Sequence, residues 1–196
     1  MMKDNITYFE NAGNTNFDAV ISTVSEYLQT DESIKNIVIF AGKKASVISL
    51  YDKLFDYKHP IKISVATYSY GREFKSTNNE TGEIDTIIPD VTTSEAKTQI
   101  LELGMNYIQG GLPFEPIRSC TGDNATEMII STFDLISKGL VHCVSAAIMA
   151  KENGYIEDNE KVIALSGDTA IVVTPTIRRN IFDGGFKIHK ILCKPI

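Results

Sequence analysis

The sequence has no C-x-x-C pair, no histidine cluster, no basic stretch and no long hydrophobic run, and each absence removes a class of protein. Its three cysteines, Cys120, Cys143 and Cys193, stand far apart, which argues against a disulfide framework or a thiolate metal site and for small, reduced, mostly buried residues. His59, His142 and His189 are equally isolated and show no metal-ligand spacing, so no metal is expected. The only close basic pairs are Lys43 with Lys44 and Arg178 with Arg179. With a net charge of -6 and a pI near 5.1, the chain lacks the basic face that nucleic-acid phosphates or anionic lipids require; neither is expected as a partner. No run approaches the ~18 apolar residues of a membrane span, and Met1-Met2-Lys3-Asp4-Asn5 lacks an apolar signal core, so a cytoplasmic protein is expected. No catalytic motif stands out.

What is there is a buried-sheet pattern. At 196 residues with 43% hydrophobic content, residues 1–196 are read as a single domain with one substantial core. Its organising stretch is Lys161 to Pro175, in which two β-branched apolar runs flank Ser166-Gly167-Asp168-Thr169. Neither run alternates with polar residues, the mark of strands buried on both faces. Four residues are too few for a helical crossover, so the second strand returns antiparallel, at or near the sheet edge.

Other elements follow in order. Ile6 to Glu10 reads as a strand, and Asn14, Thr15 or Asn16 as the cap of a helix with an apolar stripe of Phe17, Val20, Ile21, Val24, Tyr27 and Leu28. Asn36 to Phe40 is a buried strand, followed after Ala41 to Lys44 by a helix striped with Val47, Ile48, Tyr51, Leu54 and Phe55. The connection, with Gly42, Lys43, Lys44, Ser46 and a helix start, has the composition of an anion site. Lys62 to Thr67 is a third strand, parallel to the second. From Tyr68 to Pro89 the periodicity lapses, which predicts a long loop; its Tyr68, Tyr70, Arg72 and Phe74 either stack on a planar ligand or staple the loop to the body. A helix capped by Thr92 or Thr93, a strand at Asn106 to Gln109, and Gly110-Gly111, where the backbone turns sharply or something approaches it, come next. The loop beyond carries Glu115, Pro116 and Arg118; a long helical region opening at Asn124 is interrupted by Ser137-Lys138-Gly139; and Lys187 to Pro195 is a last strand that can pair with the first.

From Lys35 to about Pro175 the order of elements, together with Ile37-Val38-Ile39-Phe40, the loop Gly42 to Ser46, Ser49 and Tyr51, the helix Ala146 to Asn153, Gly154-Tyr155-Ile156 and Lys161 to Ser166, resembles the C-terminal α/β domain of pyruvate kinase. Tyr8-Phe9-Glu10, Gly13 to Asn16 and Lys194-Pro195 resemble the stand-alone bacterial and archaeal proteins of that fold. The resemblance implies a three-layer α/β/α sandwich whose mostly parallel sheet has the order 3-2-1-4-5, counting Asn36 to Phe40 as strand one, with the last strand antiparallel. It brings no pyruvate kinase barrel, hence none of that enzyme's catalytic residues or activity. It also implies a ligand at the switch point between strands one and four. There Gly42, Lys43, Lys44, Ser46, Ser166, Gly167 and Thr169 would hold a phosphate, with Tyr68, Tyr70 and Arg72 as ring-stacking or lid residues and Gly110 and Gly111 as pocket backbone. FMN is the cofactor implied by the stand-alone relatives. Two departures stand out: the first loop is shorter than the kinase pattern, and the second is cut to four residues and carries Asp168, which repels an anion.

Three functions are open on these residues. The first is a non-catalytic or regulatory binding domain for a small phosphorylated ligand such as FMN. The second is a flavin-dependent oxidoreductase or phosphometabolite hydrolase, for which Asp168, Glu115 and His142 are the nominal acid–base candidates. The third is an interaction subunit with a vestigial pocket. A homo-oligomer is compatible with each.

Overall fold

A computed structural model describes residues 5–55, 57, 60–77, 84–115 and 124–196. His59, Pro116, Arg118 and Cys120 lie outside the described residues. The chain order is β1 (Thr7–Phe9), α1 (Phe17–Thr30), β2 (Asn36–Phe40), α2 (Lys44–Leu54), β3 (Lys62–Thr67), β4 (Phe74–Thr77), β5 (Ile84–Ile87), α3 (Ser94–Glu102), β6 (Asn106–Gln109), α4 (Asn124–Asp134), α5 (Lys138–Glu152), β7 (Val162–Leu165), β8 (Ala170–Thr174) and β9 (Lys187–Pro195).

Seven of these strands form one mixed, mostly parallel sheet in the order β1-β9-β8-β7-β2-β3-β6, in which only β8 runs against its neighbours. Both faces are covered, and the pleat sorts side chains between them. Ile37 and Ile39 of β2 join a core with α1, α2 and Ile100 of α3, whereas Val38 and Phe40 join a second core built around α5. The same division runs through β7 and β8: Ile163, Leu165 and Val172 face the first core, Val162, Ala164, Ile171 and Val173 the second. That two-sided burial is why these runs show no polar alternation.

The α1 stripe lies buried as its spacing predicts, with Tyr27 half-buried. Its cap differs: Asn16 makes no side-chain bond to the helix and instead donates Nδ2–H to the Asn11 carbonyl at 2.6 Å. In α2 the buried positions are Ser46, Val47, Leu50 and Leu54, while Phe55 falls past the helix end and is 67% exposed. Thr93 caps α3, its hydroxyl accepting from Ala96 N–H at 3.2 Å.

Two expectations need correction. β8 does not end the sheet, because β9 pairs with its free side and β1 with β9, Thr7 lying opposite Cys193. The loop expected over Tyr68 to Pro89 contains an antiparallel hairpin, β4 with β5, in the register Phe74↔Ile87 to Thr77↔Ile84. All four β5 residues are exposed, so no inward apolar set exists to mark the strand by alternation. No single helix among the described residues is long and apolar enough to cross a membrane.

Candidate functional site

Two of the helices that begin at the carboxyl edge of the sheet lie on opposite faces, α2 against one core and α5 against the other, and ligands in open α/β sheets bind along that edge. The first is α2, entered from β2 through Ala41, Gly42 and Lys43. Lys43 occupies the cap position with extended backbone and makes no cap bond, since an ammonium has no acceptor to offer the free N–H groups of a first turn. Asp90 supplies one: its Oδ1 accepts the Lys44 N–H at 2.6 Å. The Lys44 ammonium lies 3.6 Å from Glu95. Ser46 is buried in the first turn, its N–H directed to the Lys43 carbonyl at 3.2 Å. A methyl group on Gly42 would meet only Tyr68 Cε2, at 3.8 Å. The stretch with an anion-site composition thus has a carboxylate of its own chain at its centre.

The second helix start is α5. Ser137 caps it, Oγ accepting from Gly139 N–H at 3.1 Å. A polar chain runs from this cap into the Ser166–Thr169 turn between β7 and β8. The Thr169 hydroxyl donates to Asp168 Oδ1 at 2.9 Å, so the 2.6 Å contact between Ser137 and Thr169 takes its proton from Ser137. The other carboxylate oxygen, Asp168 Oδ2, accepts Gly13 N–H at 2.7 Å. Asp168 is 6% exposed, and its charge ties the loop after β1 to the turn after β7. Gly139 is required here: a Cβ would lie 2.6 Å from Ser166 Oγ and closer still to Asp168 Oδ1 and Thr169 Oγ1. Gly167 is held similarly, with Asn14 Oδ1 2.7 Å from where its Cβ would be.

Between this turn, the loop after β1 and the start of α5 lies a cleft of about 300 Å³, walled by Gly13, Asn14, Lys138, Gly139, His142 and the Ser166–Asp168 backbone segment. Ser166 is 3% exposed, and its hydroxyl has no hydrogen-bond partner. Beneath it, Cys143 Sγ donates to the Thr169 carbonyl at 3.3 Å; burial pushes that thiol far above its ordinary range, so it is not a nucleophile.

Aromatic side chains close one end of the cleft. His142 stacks on Phe40 with centroids 4.6 Å apart and planes 10° apart, and its Nε2 lies 3.4 Å from the Tyr68 hydroxyl. Burial holds the imidazole below its ordinary value, while Asp168 and Asp134 pull the other way. Tyr68 also packs edge-on against Phe40 and Phe74, at 4.8 Å each. Burial raises its phenol. Outside Phe74 sits Arg72, 5.2 Å from the ring centroid, with Nη2 2.5 Å from Glu115. Tyr70 is 79% exposed.

The residues singled out from sequence therefore separate into three groups. Ser166 and Gly167 meet in the cleft, and Thr169 supports it from beneath, joined by Asp168 and His142. Tyr68, Arg72 and Glu115 form an adjoining cluster that Gly42 touches through the Tyr68 ring. Lys43, Lys44 and Ser46 do not wall the cleft, and Gly110 and Gly111 have no left-handed backbone and no neighbour nearer than 4.0 Å to an added Cβ. Lys138 and Gly139 stand out in the sequence only as a helix interruption, and Asn14 only as a helix-cap candidate; a glycine inside a helical pattern is the signal that marks a close approach. Among the described residues no three His, Cys, Asp or Glu side chains converge to hold a metal ion. No protein-family model matches the chain.

Proposed function

We propose that this protein is a small-molecule binding domain of the pyruvate kinase C-terminal type, and that it holds a phosphorylated ligand, FMN foremost, in the cleft at the start of α5. The run β6-β3-β2-β7-β8 with β8 reversed supports the fold assignment. The chain leaves β2 toward β3 and β6, then crosses back to add β7 on the other side, so β2 and β7 flank a switch point. The observation that carries the functional reading is the cleft beside it, which is lined by the amino end of a 15-residue helix with Lys138 in its first turn and by closely packed glycines. Helix starts favour anions through their free N–H groups and dipole.

The fit to FMN is tested by volume and by the glycines. About 300 Å³ is at the lower end of ligand pockets, enough for the phosphate and the chain that carries it. Tyr68 is committed to Phe40, Phe74 and His142, which leaves the exposed Tyr70 as the aromatic available to a planar ring. Bound FMN would supply a ring able to accept and return electrons; the chain's own part is to hold the phosphate at Lys138 and keep His142 neutral against the cleft.

The test begins with an absorbance spectrum of the purified protein and mass spectrometry of what denaturation releases, followed by FMN titration. Lys138→Ala is expected to weaken FMN binding about tenfold, about 1.4 kcal/mol, and the double change Lys43→Ala/Lys44→Ala to weaken it less. Failure of the protein to bind FMN or inorganic phosphate, or the reverse ranking of the two variants, overturns this assignment.

A further inference from the structure

The Arg72–Glu115 pair leaves half of a strong binding fork unused. A guanidinium normally grips a carboxylate or phosphate through two parallel N–H groups. Here Nη2 reaches Glu115 Oε1 at 2.5 Å, while Nε, itself buried from water, has no partner. An unpaired buried donor on a cation is costly, and a folded chain free to choose any rotamer of an exposed loop residue has an easy escape from it. Arg72 is kept in place instead. It follows a turn in which Arg72 N–H bonds the Ser69 carbonyl at 3.1 Å and Gly71 adopts φ +74°, the left-handed third position that favours glycine. Its guanidinium lies over Phe74, and both Arg72 and Glu115 are near enough to the Tyr68 hydroxyl to bias its ionisation. That hydroxyl meets His142, a wall of the cleft. Tyr68 and His142 therefore link this ion pair to the proposed phosphate seat.

We infer that Arg72 is the second anion-binding arm of the site, held in reserve by Glu115, and that a phosphate monoester competes with Glu115 for it. The inference rests on the cleft reading above. It follows from charge as well as from geometry. Around the cleft the charges of Lys138 and Asp168, which both line it, cancel, as do those of Arg72 and Glu115, so an entering dianion meets no net positive charge until the Arg72–Glu115 pair opens. Asp168 cannot give way, because both of its oxygens are bonded within the turn and to Gly13. Glu115 holds Arg72 through one of two available contacts, and both side chains are about one-third exposed. A phosphate monoester offers two charges and a bidentate edge to the same fork, whereas a ligand without phosphate has nothing to exchange for Glu115.

The experiment titrates the wild-type protein, Glu115→Gln, Arg72→Lys and Lys138→Ala with FMN and, in parallel, with riboflavin, which lacks the phosphate. Glu115→Gln is expected to bind FMN at least about fivefold more tightly, with riboflavin unchanged, and Arg72→Lys, which keeps the charge but loses the fork, to bind FMN more weakly. Amide exchange along residues 68–77, read without ligand, is expected to quicken in Glu115→Gln as the pair is released. If FMN binding depends on Lys138 but is unaltered in Glu115→Gln and Arg72→Lys, the reserve arm is overturned while the cleft stands. If wild type does not bind FMN, the cleft reading and the reserve arm are both overturned.

Discussion

The starts of α2 and α5 offer the same chemistry at the same edge of the sheet, yet their surroundings differ. At α2 a lysine sits at the cap, a second lysine and a serine fill the first turn, and a carboxylate from a distant turn completes the helix by taking the Lys44 N–H. At α5 a serine caps the helix from within, a glycine replaces the second residue of the first turn, and the carboxylate nearby is bonded to Thr169 and Gly13 rather than to the helix. Composition favours α2 as the anion site; in the fold Asp90 takes its Lys44 N–H, whereas the cleft borders the start of α5.

The largest difference between the two is expected at the second residue of each helix. Gly139→Ala puts a methyl group among three buried oxygens, two of them, Asp168 Oδ1 and Thr169 Oγ1, hydrogen-bonded to each other, and overpacking of this kind costs about 1 to 3 kcal/mol. The cost is the more telling because alanine is the better helix former by about 1 kcal/mol. At the equivalent exposed position of α2, Ala45→Gly is expected to cost only that propensity difference, up to about 1 kcal/mol. Urea midpoints of the two variants measure it; a Gly139→Ala protein as stable as wild type would remove the close approach on which the shape of the cleft depends.

A smaller contrast lies in the caps. Ser137→Ala removes both the acceptor for Gly139 N–H and the donor to Thr169, and is expected to cost about 1 to 2 kcal/mol. Asp90→Ala removes the acceptor for Lys44 N–H at an exposed site and is expected to cost about 0.5 to 1 kcal/mol, while clearing the α2 start. Phosphate affinity is the sharper readout. It should fall in Ser137→Ala and remain unchanged in Asp90→Ala; a rise in Asp90→Ala would return Gly42, Lys43, Lys44 and Ser46 to the site.

The strands buried on both faces were legible, since Ile37 to Phe40 and Val162 to Leu165 feed two cores from alternate residues and so read as unbroken apolar runs. The reversal of β8 was legible too, because Ser166 to Thr169 leaves no length for a crossover. The β4–β5 hairpin was not, as its second strand is exposed at every residue. Nor was the occupancy of the helix starts. Asp90 reaches Lys44 across 46 residues of chain, and no local pattern records that contact. Asp168 reads in sequence as a charge that would repel a phosphate; in the fold it is a tie, with one oxygen on Thr169 and the other on Gly13, 155 residues earlier.

The smallest expected effect is confined to a window of pH and belongs to α5 alone. His142 stacks on Phe40 beside the cleft, and burial lowers its folded-state pKa against the opposing pull of Asp168 and Asp134. In the unfolded chain it titrates near ~6.5. Between that value and the depressed folded one, the unfolded chain carries a proton that the folded chain does not, so stability rises with pH across the interval. The contribution is therefore complete above ~6.5 and is lost as pH falls through the folded-state value. His189 is also shifted down, mainly by desolvation and then by Lys161 and Lys187, but it is exposed and solvent screens it. Thermal midpoints recorded between pH 7 and pH 5 should fall less steeply in His142→Gln, which keeps a partner for the Tyr68 hydroxyl, than in wild type, and His189→Gln should track wild type. A slope that survives in His142→Gln would assign the titration to another group and leave His142 as a packing residue.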